Sequence, residues 1–174
     1  MKKAPAPTVS PIMQDLSTYI SRAVRRAPPK AVVARARLHL VDTFAAMISG
    51  TRLLPGRKAI EYVGPLGGTP EAGVIGTRLV TSAAQAALAN GMFGHADETD
   101  DTHPPSQTHP GTSVVPAALC IGERNRLSGK AVLRAIILGY DVCARMMLAF
   151  KPRAATNNAP FLLRDSAPLV FVLS

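Results

Sequence analysis

The chain has 174 residues and a net charge of +9, with 47% hydrophobic and 18% charged residues. This composition is typical of a folded globular protein and excludes disorder over the whole length. No apolar run approaches the roughly 20 residues that a membrane helix requires, and the N-terminal lysines lack the apolar stretch of a secretion signal. The positive charge is scattered, with few aromatic residues beside it, so it predicts no nucleic-acid partner. We expect a cytoplasmic protein.

Two helices are predicted after a proline-rich, disordered tail that covers residues 1–10. The first helix runs from Ile12 to Arg26, where apolar residues recur at helical spacing. The second runs from Lys30 to Ser49, and Gly50 fits the position that follows a helix. One apolar face predicted for this second helix consists of Leu38, Val41, Ala45 and Ile48. Leu40, Phe44 and Met47 add apolar surface elsewhere, so we expect the helix to be buried on more than one side.

Glycines and prolines divide residues 51–80 into short pieces. A short helix near residues 57–63 and an extended piece at 72–75 fit this composition best. The glycines match no phosphate-binding motif, so turns are their predicted role. A capping box, Ser-x-x-Gln from Ser82, then opens an alanine-rich helix that reaches about His95.

One polar loop and two further helices are predicted in the second half of the chain. The loop covers residues 96–111. The next helix covers residues 113–124, with Pro116 in its first turn, where proline is tolerated. Ser128 then caps a long helix that reaches Phe150.

The predicted fold class is all-α, because no strand-rich region or repeat is present. Residues 11–150 are expected to form one helical domain, and residues 151–174 an irregular tail. The two cysteines, Cys120 and Cys143, lie within apolar helical patterns. They are too few for an iron–sulfur cluster, and we expect small buried side chains rather than a disulfide.

Groups suited to chemistry concentrate in the predicted loop. Three histidines and four carboxylates lie close together in the sequence: His95, Asp97, Glu98, Asp100, Asp101, His103 and His109. Crowded carboxylates raise one another's pKa values, so such a loop costs stability unless its charges have partners. A functional site is therefore the first hypothesis. A solvated acidic loop with helix-capping aspartates is the alternative.

Two kinds of chemistry suit this loop. The His-x-Asp and Asp-x-His spacings can surround a divalent metal ion, which would indicate a metal-dependent hydrolase. The other possibility is acid–base chemistry on a bound anion. His109 precedes a predicted helix whose free N–H groups can bind a carboxylate. An imidazole beside a bound carboxylate can remove a proton from the adjacent carbon.

Four segments around the loop together resemble the central motif of a known enzyme family. They are Asn90-Gly91, Gly94-His95-Ala96, the run Asp-Asp-Thr-His-Pro-Pro-Ser over residues 100–106, and His109-Pro110-Gly111. The family is MmgE/PrpD, which includes 2-methylcitrate dehydratase and cis-aconitate decarboxylase. The resemblance covers about residues 12–150.

This resemblance implies a homodimeric lyase that acts on small polycarboxylates without a metal or another cofactor. It also implies a large helical domain and a separate α+β lid domain. The family's catalytic acidic residue, threonine and histidine fall on Glu98, Thr102 and His109. Residues expected to bind substrate or support the site are Asp100, Asp101, His103 and His95.

The chain departs from the family pattern at two places. The family usually has aspartate where Glu98 stands, between a hydrophobic and an aromatic residue, whereas this chain has Asp97 and Thr99 there. After Phe150 the resemblance fades, and the remaining catalytic residues and the lid domain of the family would follow this point. We therefore expect a truncated lyase without its lid, inactive unless another chain supplies the missing residues. The alternative is a short, non-catalytic helical protein that binds a partner through exposed apolar surface.

Overall fold

Six α-helices make up most of residues 9–150, the part of the chain that the computed structural model describes. In chain order they are α1 (Pro11–Ala23), α2 (Lys30–Gly50), α3 (Leu54–Val63), α4 (Ala83–Gly94), α5 (Pro110–Arg124) and α6 (Gly129–Phe150). The all-α prediction is confirmed. Apart from residues 9 and 10, the two predicted tails lie outside the described range. Among the helices of residues 9–150, none combines the length and the apolar character of a membrane span.

A short connection joins α3 to α4. It contains a 3₁₀ turn (Gly64–Leu66) and two antiparallel strands, β1 (Ala72–Gly73) and β2 (Val80–Thr81). Ala72 pairs with Thr81, and Gly73 pairs with Val80. The extended piece predicted at 72–75 is thus partly confirmed, as half of a very small hairpin.

The core forms around α4, which contacts α2, α3, α5 and both strands. Three alanines of α4, Ala83, Ala86 and Ala89, are almost completely buried. Short side chains at a helix contact allow the helix axes to approach closely. Larger buried side chains fill the remaining space: Tyr140, Phe93, Met47, Ile136, Val63 and Val115.

The face that α2 buries differs from the predicted one. Leu38, Val41 and Ile48 are 63%, 67% and 58% exposed, and Ala45 is exposed as well, so the predicted core face is wrong. The residues that α2 buries are Ala36, Thr43, Ala46, Met47 and Gly50. Both stripes have helical spacing. The buried one consists mostly of small residues, and Gly50 at its end lies directly against the backbone of Phe93 in α4.

Gly50 was predicted to be the first residue after α2, but it is the last residue of the helix. A Cβ atom at this position would overlap the carbonyl oxygen of Phe93 in α4. Glycine is needed here because two helix ends approach closely, and not because the backbone turns into the left-handed region.

α5 begins one turn earlier than predicted. It starts at Pro110, so Pro116 lies inside the helix and not in its first turn. Proline at this position lacks the N–H that would bond to the carbonyl oxygen of Thr112. That oxygen lies against Gly91 of α4, where an ideal Cβ would come within 3.0 Å of it. The early start makes His109 the N-cap residue of α5 and thereby fixes its position.

Serine caps begin two helices as predicted. The hydroxyl of Ser82 accepts the N–H of Gln85 at 3.4 Å at the start of α4. The hydroxyl of Ser128 accepts the N–H of Ala131 at 3.3 Å at the start of α6. Each cap satisfies a backbone donor that lacks a partner within its helix.

Both cysteines are free thiols. Cys120 is buried, as predicted, whereas Cys143 is only half-buried. Burial raises the pKa of the Cys120 thiol to about 11. The thiol therefore stays protonated and behaves as a small apolar side chain.

Candidate functional site

The ends of α4 and α5 bring two histidines together. His95 is the C-cap residue of α4, and His109 is the N-cap residue of α5. Because these two helices pack against each other, the two imidazole rings lie edge to face with their centroids 5.3 Å apart. The pairing therefore results from helix packing and not from the spacing of the residues in the loop.

Asp100 joins the two rings. Its Oδ1 atom lies 3.1 Å from Nδ1 of His95, and its Oδ2 atom lies 3.1 Å from Nδ1 of His109. The carboxylate is 1% exposed, whereas the two histidine side chains are 54% and 42% exposed. A carboxylate that accepts the Nδ1–H of an imidazole orients the ring and leaves Nε2 unprotonated, as a base. We call His95, Asp100 and His109 the His–Asp–His cluster.

A shallow cavity of about 490 Å³ opens beside this cluster. It is lined by both histidines, by Leu88 and Met92 of α4, and by Thr112 and Ser113 of α5. The cavity therefore combines two imidazoles with an apolar side and a side that carries hydroxyl groups. Such a surface can contact a small ligand that has both polar and apolar groups.

Asp101, the neighbour of Asp100 in the chain, belongs to a different network. Its carboxylate accepts hydrogen bonds from the hydroxyl of Tyr140 at 2.7 Å and from the N–H of Gly111 at 2.9 Å. It also lies 3.3 Å from Nδ1 of His39. Burial raises the pKa of Asp101, but the hydrogen bonds from His39, Tyr140 and Gly111 outweigh burial and lower it. Asp101 thus stays ionised and ties the loop to α2, α5 and α6.

His39 and Tyr140 were not predicted as site residues. His39 shares a polar face of α2 with Arg35 and Asp42, which resembles an ordinary solvated helix surface. Tyr140 lies within the apolar pattern of α6 and is almost completely buried. A buried tyrosine hydroxyl needs a polar partner, so the apolar surroundings of Tyr140 in the sequence indicate that such a partner exists. The sequence alone does not identify which residue it is.

The N-terminus of α5 is only partly available to a bound anion. The sequence predicts free N–H groups there, but the N–H of Gly111 donates to Asp101. The positive end of the helix is thus already balanced in part by a carboxylate of the chain itself. A ligand in the neighbouring cavity would meet the imidazoles and the hydroxyl groups of Thr112 and Ser113.

Glu98 and Thr102 lie on the exposed surface of the loop. Among residues 9–150, no hydrogen bond or ion pair joins either side chain to His109 or to another residue. Glu98 has a φ of 55°, in the left-handed region that non-glycine residues seldom adopt, so the chain turns sharply there.

His103 forms part of a tight turn before His109. Its N–H donates to the carbonyl oxygen of Thr108 at 2.8 Å, and its Nδ1 atom lies 2.6 Å from the hydroxyl of Ser106. Ser106 is completely buried, and its hydroxyl lies 2.6 Å from that of Thr108. These contacts close residues 103–108 into a compact turn. The turn is followed directly by His109, the N-cap residue of α5.

The His–Asp–His cluster also has the donor set of a metal site. One ligand atom from each of its three residues lies within 4.8 Å of the others. Two imidazole nitrogens and one carboxylate oxygen are common ligands of zinc and iron. The same three side chains can therefore support metal chemistry as well as acid–base chemistry.

Comparison with known families identifies the chain. Residues 14–164 match the MmgE/PrpD N-terminal domain. The chain belongs to the MmgE/PrpD family. The resemblance predicted from the loop motif is thus confirmed, and the matched range of the MmgE/PrpD domain runs past Phe150. No curated protein matches the chain.

Several residues of the MmgE/PrpD motif have clear packing roles. The Asn90 side chain accepts the N–H of Ile75 at 2.9 Å and donates to the carbonyl oxygen of Gly73 at 3.1 Å. It thereby fastens the small hairpin to α4. At Gly111, a Cβ atom would come within 2.6 Å of both Asp101 and Thr43. Glycine at this point of the motif therefore makes room for the Asp101 carboxylate.

Proposed function

We propose that this chain carries the histidine-bearing wall of a lyase site for small polycarboxylates. One buried carboxylate, Asp100, contacts Nδ1 of two half-exposed imidazoles, and this arrangement is the main support. An imidazole held in this way can remove a proton beside a substrate carboxylate, and its conjugate acid can protonate the leaving group. Dehydration and decarboxylation both require such proton transfers. Membership of a family that includes lyases agrees with this chemistry.

The residues have distinct proposed roles. His109 is the base or acid at the substrate, and Asp100 orients its ring. His95 is the second imidazole of the pair, available to transfer a proton or to bind a substrate carboxylate. Glu98 and Thr102 are the proposed acidic and hydrogen-bonding contributors from the loop, and both require a ligand that reaches their exposed side chains.

Asp101 and His103 are proposed to support the site indirectly. Asp101 anchors the loop through Tyr140 and Gly111. His103 closes the turn that leads to His109. Neither role requires contact with the substrate.

Turnover and binding together test the proposal. Citrate, cis-aconitate and 2-methylcitrate are incubated with the full chain, and products are separated by chromatography. Binding of the same acids is followed by NMR shifts of the histidine side chains, which does not depend on turnover. His109→Ala should weaken binding or slow turnover by about 100-fold or more, the usual size of an acid–base contribution. Glu61→Gln, at an exposed position of α3 that lines neither the His–Asp–His cluster nor its cavity, is the control and should have no effect.

Two results would contradict the assignment. One is a His109→Ala variant that keeps wild-type turnover and wild-type binding. The other is a set of polycarboxylate-induced NMR shifts that leave His95 and His109 unchanged in the wild type.

A metal-dependent hydrolase is the second candidate, because the three ligand atoms of the cluster lie within 4.8 Å of one another. This candidate predicts about one zinc, manganese or iron ion per chain after purification without chelators, measured by elemental analysis. The ion should be lost in both His95→Ala and His109→Ala. The lyase proposal predicts that chelators leave binding and turnover unchanged.

A cytoplasmic homodimer is the proposed state of the protein. The exposed apolar stripe of α2, which includes Leu38, Val41 and Ile48, supports association. Light scattering should detect a dimer, and Val41→Glu should dissociate it, with Tyr62→Glu as a control at an exposed position of α3. The non-catalytic alternative predicts that the stripe binds a different partner and that no polycarboxylate binds.

A further inference from the structure

A second cavity, of about 670 Å³, lies between α1 and α6, and the His–Asp–His cluster does not line it. Its walls come from α1, from the turn at Pro28 and Pro29, from the start of α2 and from one face of α6. The apolar part of the lining includes Ala23, Ala27, Val32, Ile137 and Leu138. A cavity of this size and character is suited to a small organic ligand.

The charged part of the lining is mostly positive. It contains four arginines and two aspartates: Arg22, Arg26, Arg134, Arg145, Asp15 and Asp141. Arg145 and Asp141 neutralise each other, because Nε of Arg145 donates to Asp141 at 3.1 Å. The hydroxyl of Tyr19 also donates to Asp141, and the Arg145 guanidinium lies over the Tyr19 ring at 5.0 Å. These contacts join α1 to α6, and they neutralise the negative charge of Asp141.

The remaining charges leave an excess of arginine. Within residues 9–150, no ion pair involves Arg22, Arg26 or Arg134, and only Asp15 remains to oppose them. An apolar cavity with this excess favours a ligand of negative charge, because the apolar walls weaken the screening by water.

Arg134 gives a second, independent indication. Its Nε atom is buried, and in the described part of the chain no acceptor lies within hydrogen-bond distance of it. It is the one buried side-chain nitrogen or oxygen of that range without a partner. Burial of a charged donor without an acceptor is unfavourable. An acceptor bound in the cavity would remove this cost.

We propose that the cavity between α1 and α6 binds an anionic amphiphile, a ligand with an apolar body and a single carboxylate or phosphate head. The apolar body would contact Val32, Ile137 and Leu138. The head would accept a hydrogen bond from Nε of Arg134, with Arg22 and Arg26 contributing charge. Guanidinium groups bind carboxylate and phosphate oxygens in a planar, two-point geometry. The ligand would also hold α1, which buries none of its own residues, against α6.

Calorimetric titration of the full chain with four probes tests this site. Decanoate and decyl phosphate carry the two possible heads, decanol carries the body alone, and inorganic phosphate carries the head alone. We expect decanoate or decyl phosphate to bind at least about ten-fold more tightly than decanol, since a charge-assisted hydrogen bond contributes about that much. The same margin is expected over inorganic phosphate, which lacks the apolar body. The stronger of the two identifies the head group. Equal binding of decanol, or no binding of either anion, would overturn the proposal.

Variants and mapping locate the binding. Arg134→Gln should weaken the stronger anion about ten-fold or more, and Arg134→Lys should restore only part of the loss, because lysine keeps the charge but lacks Nε–H. Arg22→Gln changes an exposed residue, so its expected several-fold loss cannot come from misfolding. Arg57→Gln, at an exposed position of α3, is the control and should bind as the wild type does. Wild-type affinity in both Arg134→Gln and Arg22→Gln, or NMR shifts confined to His95 and His109, would show the assignment to be wrong.

Discussion

The hydroxyl of Tyr140 donates a 2.7 Å hydrogen bond to Asp101 and so joins α6 to the histidine-bearing loop. Tyr140 is 1% exposed, and the same carboxylate accepts the N–H of Gly111 and lies beside His39. Side chains or backbone from α2, α5 and α6 thus meet at one charge. Because Asp101 follows Asp100 directly, this network also fixes the backbone that carries the carboxylate of the His–Asp–His cluster.

Tyr140→Phe removes the hydroxyl and leaves the ring in the core. Loss of a hydrogen bond to a charged, largely buried acceptor should lower the free energy of unfolding by about 2 kcal/mol. Urea titration followed by circular dichroism measures this change. Tyr62→Phe is the control, because Tyr62 is 61% exposed on α3, and its effect should stay within about 0.5 kcal/mol. Equal losses in the two variants would contradict the proposed importance of the network.

Asp101→Asn tests the charge of this network through pH. Because hydrogen bonds lower the pKa of Asp101 in the folded state, its ionised form stabilises the fold above the ordinary aspartate pKa of about 3.9. That contribution is lost as the pH falls through the lowered folded pKa. The variant should be less stable than the wild type near pH 7 and should lose less stability on acidification below about pH 5.

Thermal unfolding from neutral to acid pH measures the dependence for the wild type and for Asp101→Asn. Asp15→Asn changes an exposed aspartate of α1 and should keep the wild-type dependence on pH. If Asp101→Asn followed the wild-type curve at all pH values, the ionised carboxylate would not be a source of stability.

Gly50→Ala should strongly destabilise the protein, because the new methyl group overlaps the carbonyl oxygen of Phe93. Backbone atoms of two helices must then move apart, at a cost of about 3 kcal/mol or more. Gly64→Ala is the matched control, since a Cβ there meets nothing within 4 Å and the backbone is helical. Its effect should lie between neutral and about 1 kcal/mol of stabilisation. Similar midpoints in urea for both variants would rule out close contact between the helix ends.

Asp100→Asn should change the tautomers of the two cluster histidines. In the wild type, Nδ1 of His95 and Nδ1 of His109 each lie 3.1 Å from a carboxylate oxygen of Asp100, so we expect both rings to carry their proton on Nδ1 when neutral. The asparagine cannot accept from both rings, and the preference for Nδ1–H should disappear. Long-range ¹H–¹⁵N NMR at alkaline pH reports the tautomer of each ring. His103, whose Nδ1 atom contacts Ser106, should keep its signals and serves as the internal control.

The order of the helices and the identity of the loop were predictable from local sequence. The spacing of apolar residues and the serine caps at Ser82 and Ser128 predicted α4 and α6 well, because these signals depend on residues within one or two turns. The start of α5 was missed by one turn. Its interior Pro116 leaves the carbonyl oxygen of Thr112 without a helical partner, and that oxygen lies against Gly91 of α4, which is distant in the chain.

Selection between two apolar stripes of α2 was beyond local sequence. The stripe with Leu38, Val41 and Ile48 is more hydrophobic than the one that contains Ala36 and Gly50, and yet it is exposed. The buried stripe contains Gly50, which lies against Phe93 of α4. This contact between helix ends depends on two segments that are distant in the chain.

The sequence by itself determined an all-α chain with the histidine-rich loop of the MmgE/PrpD family. Only the tertiary structure decided that two adjacent carboxylates have different partners. Asp100 contacts His95 and His109, whereas Asp101 binds Tyr140 and Gly111. The physical reason is that neighbouring side chains leave the backbone in different directions. Their partners are set by the packing of α2, α4, α5 and α6, which residue spacing in the loop does not encode.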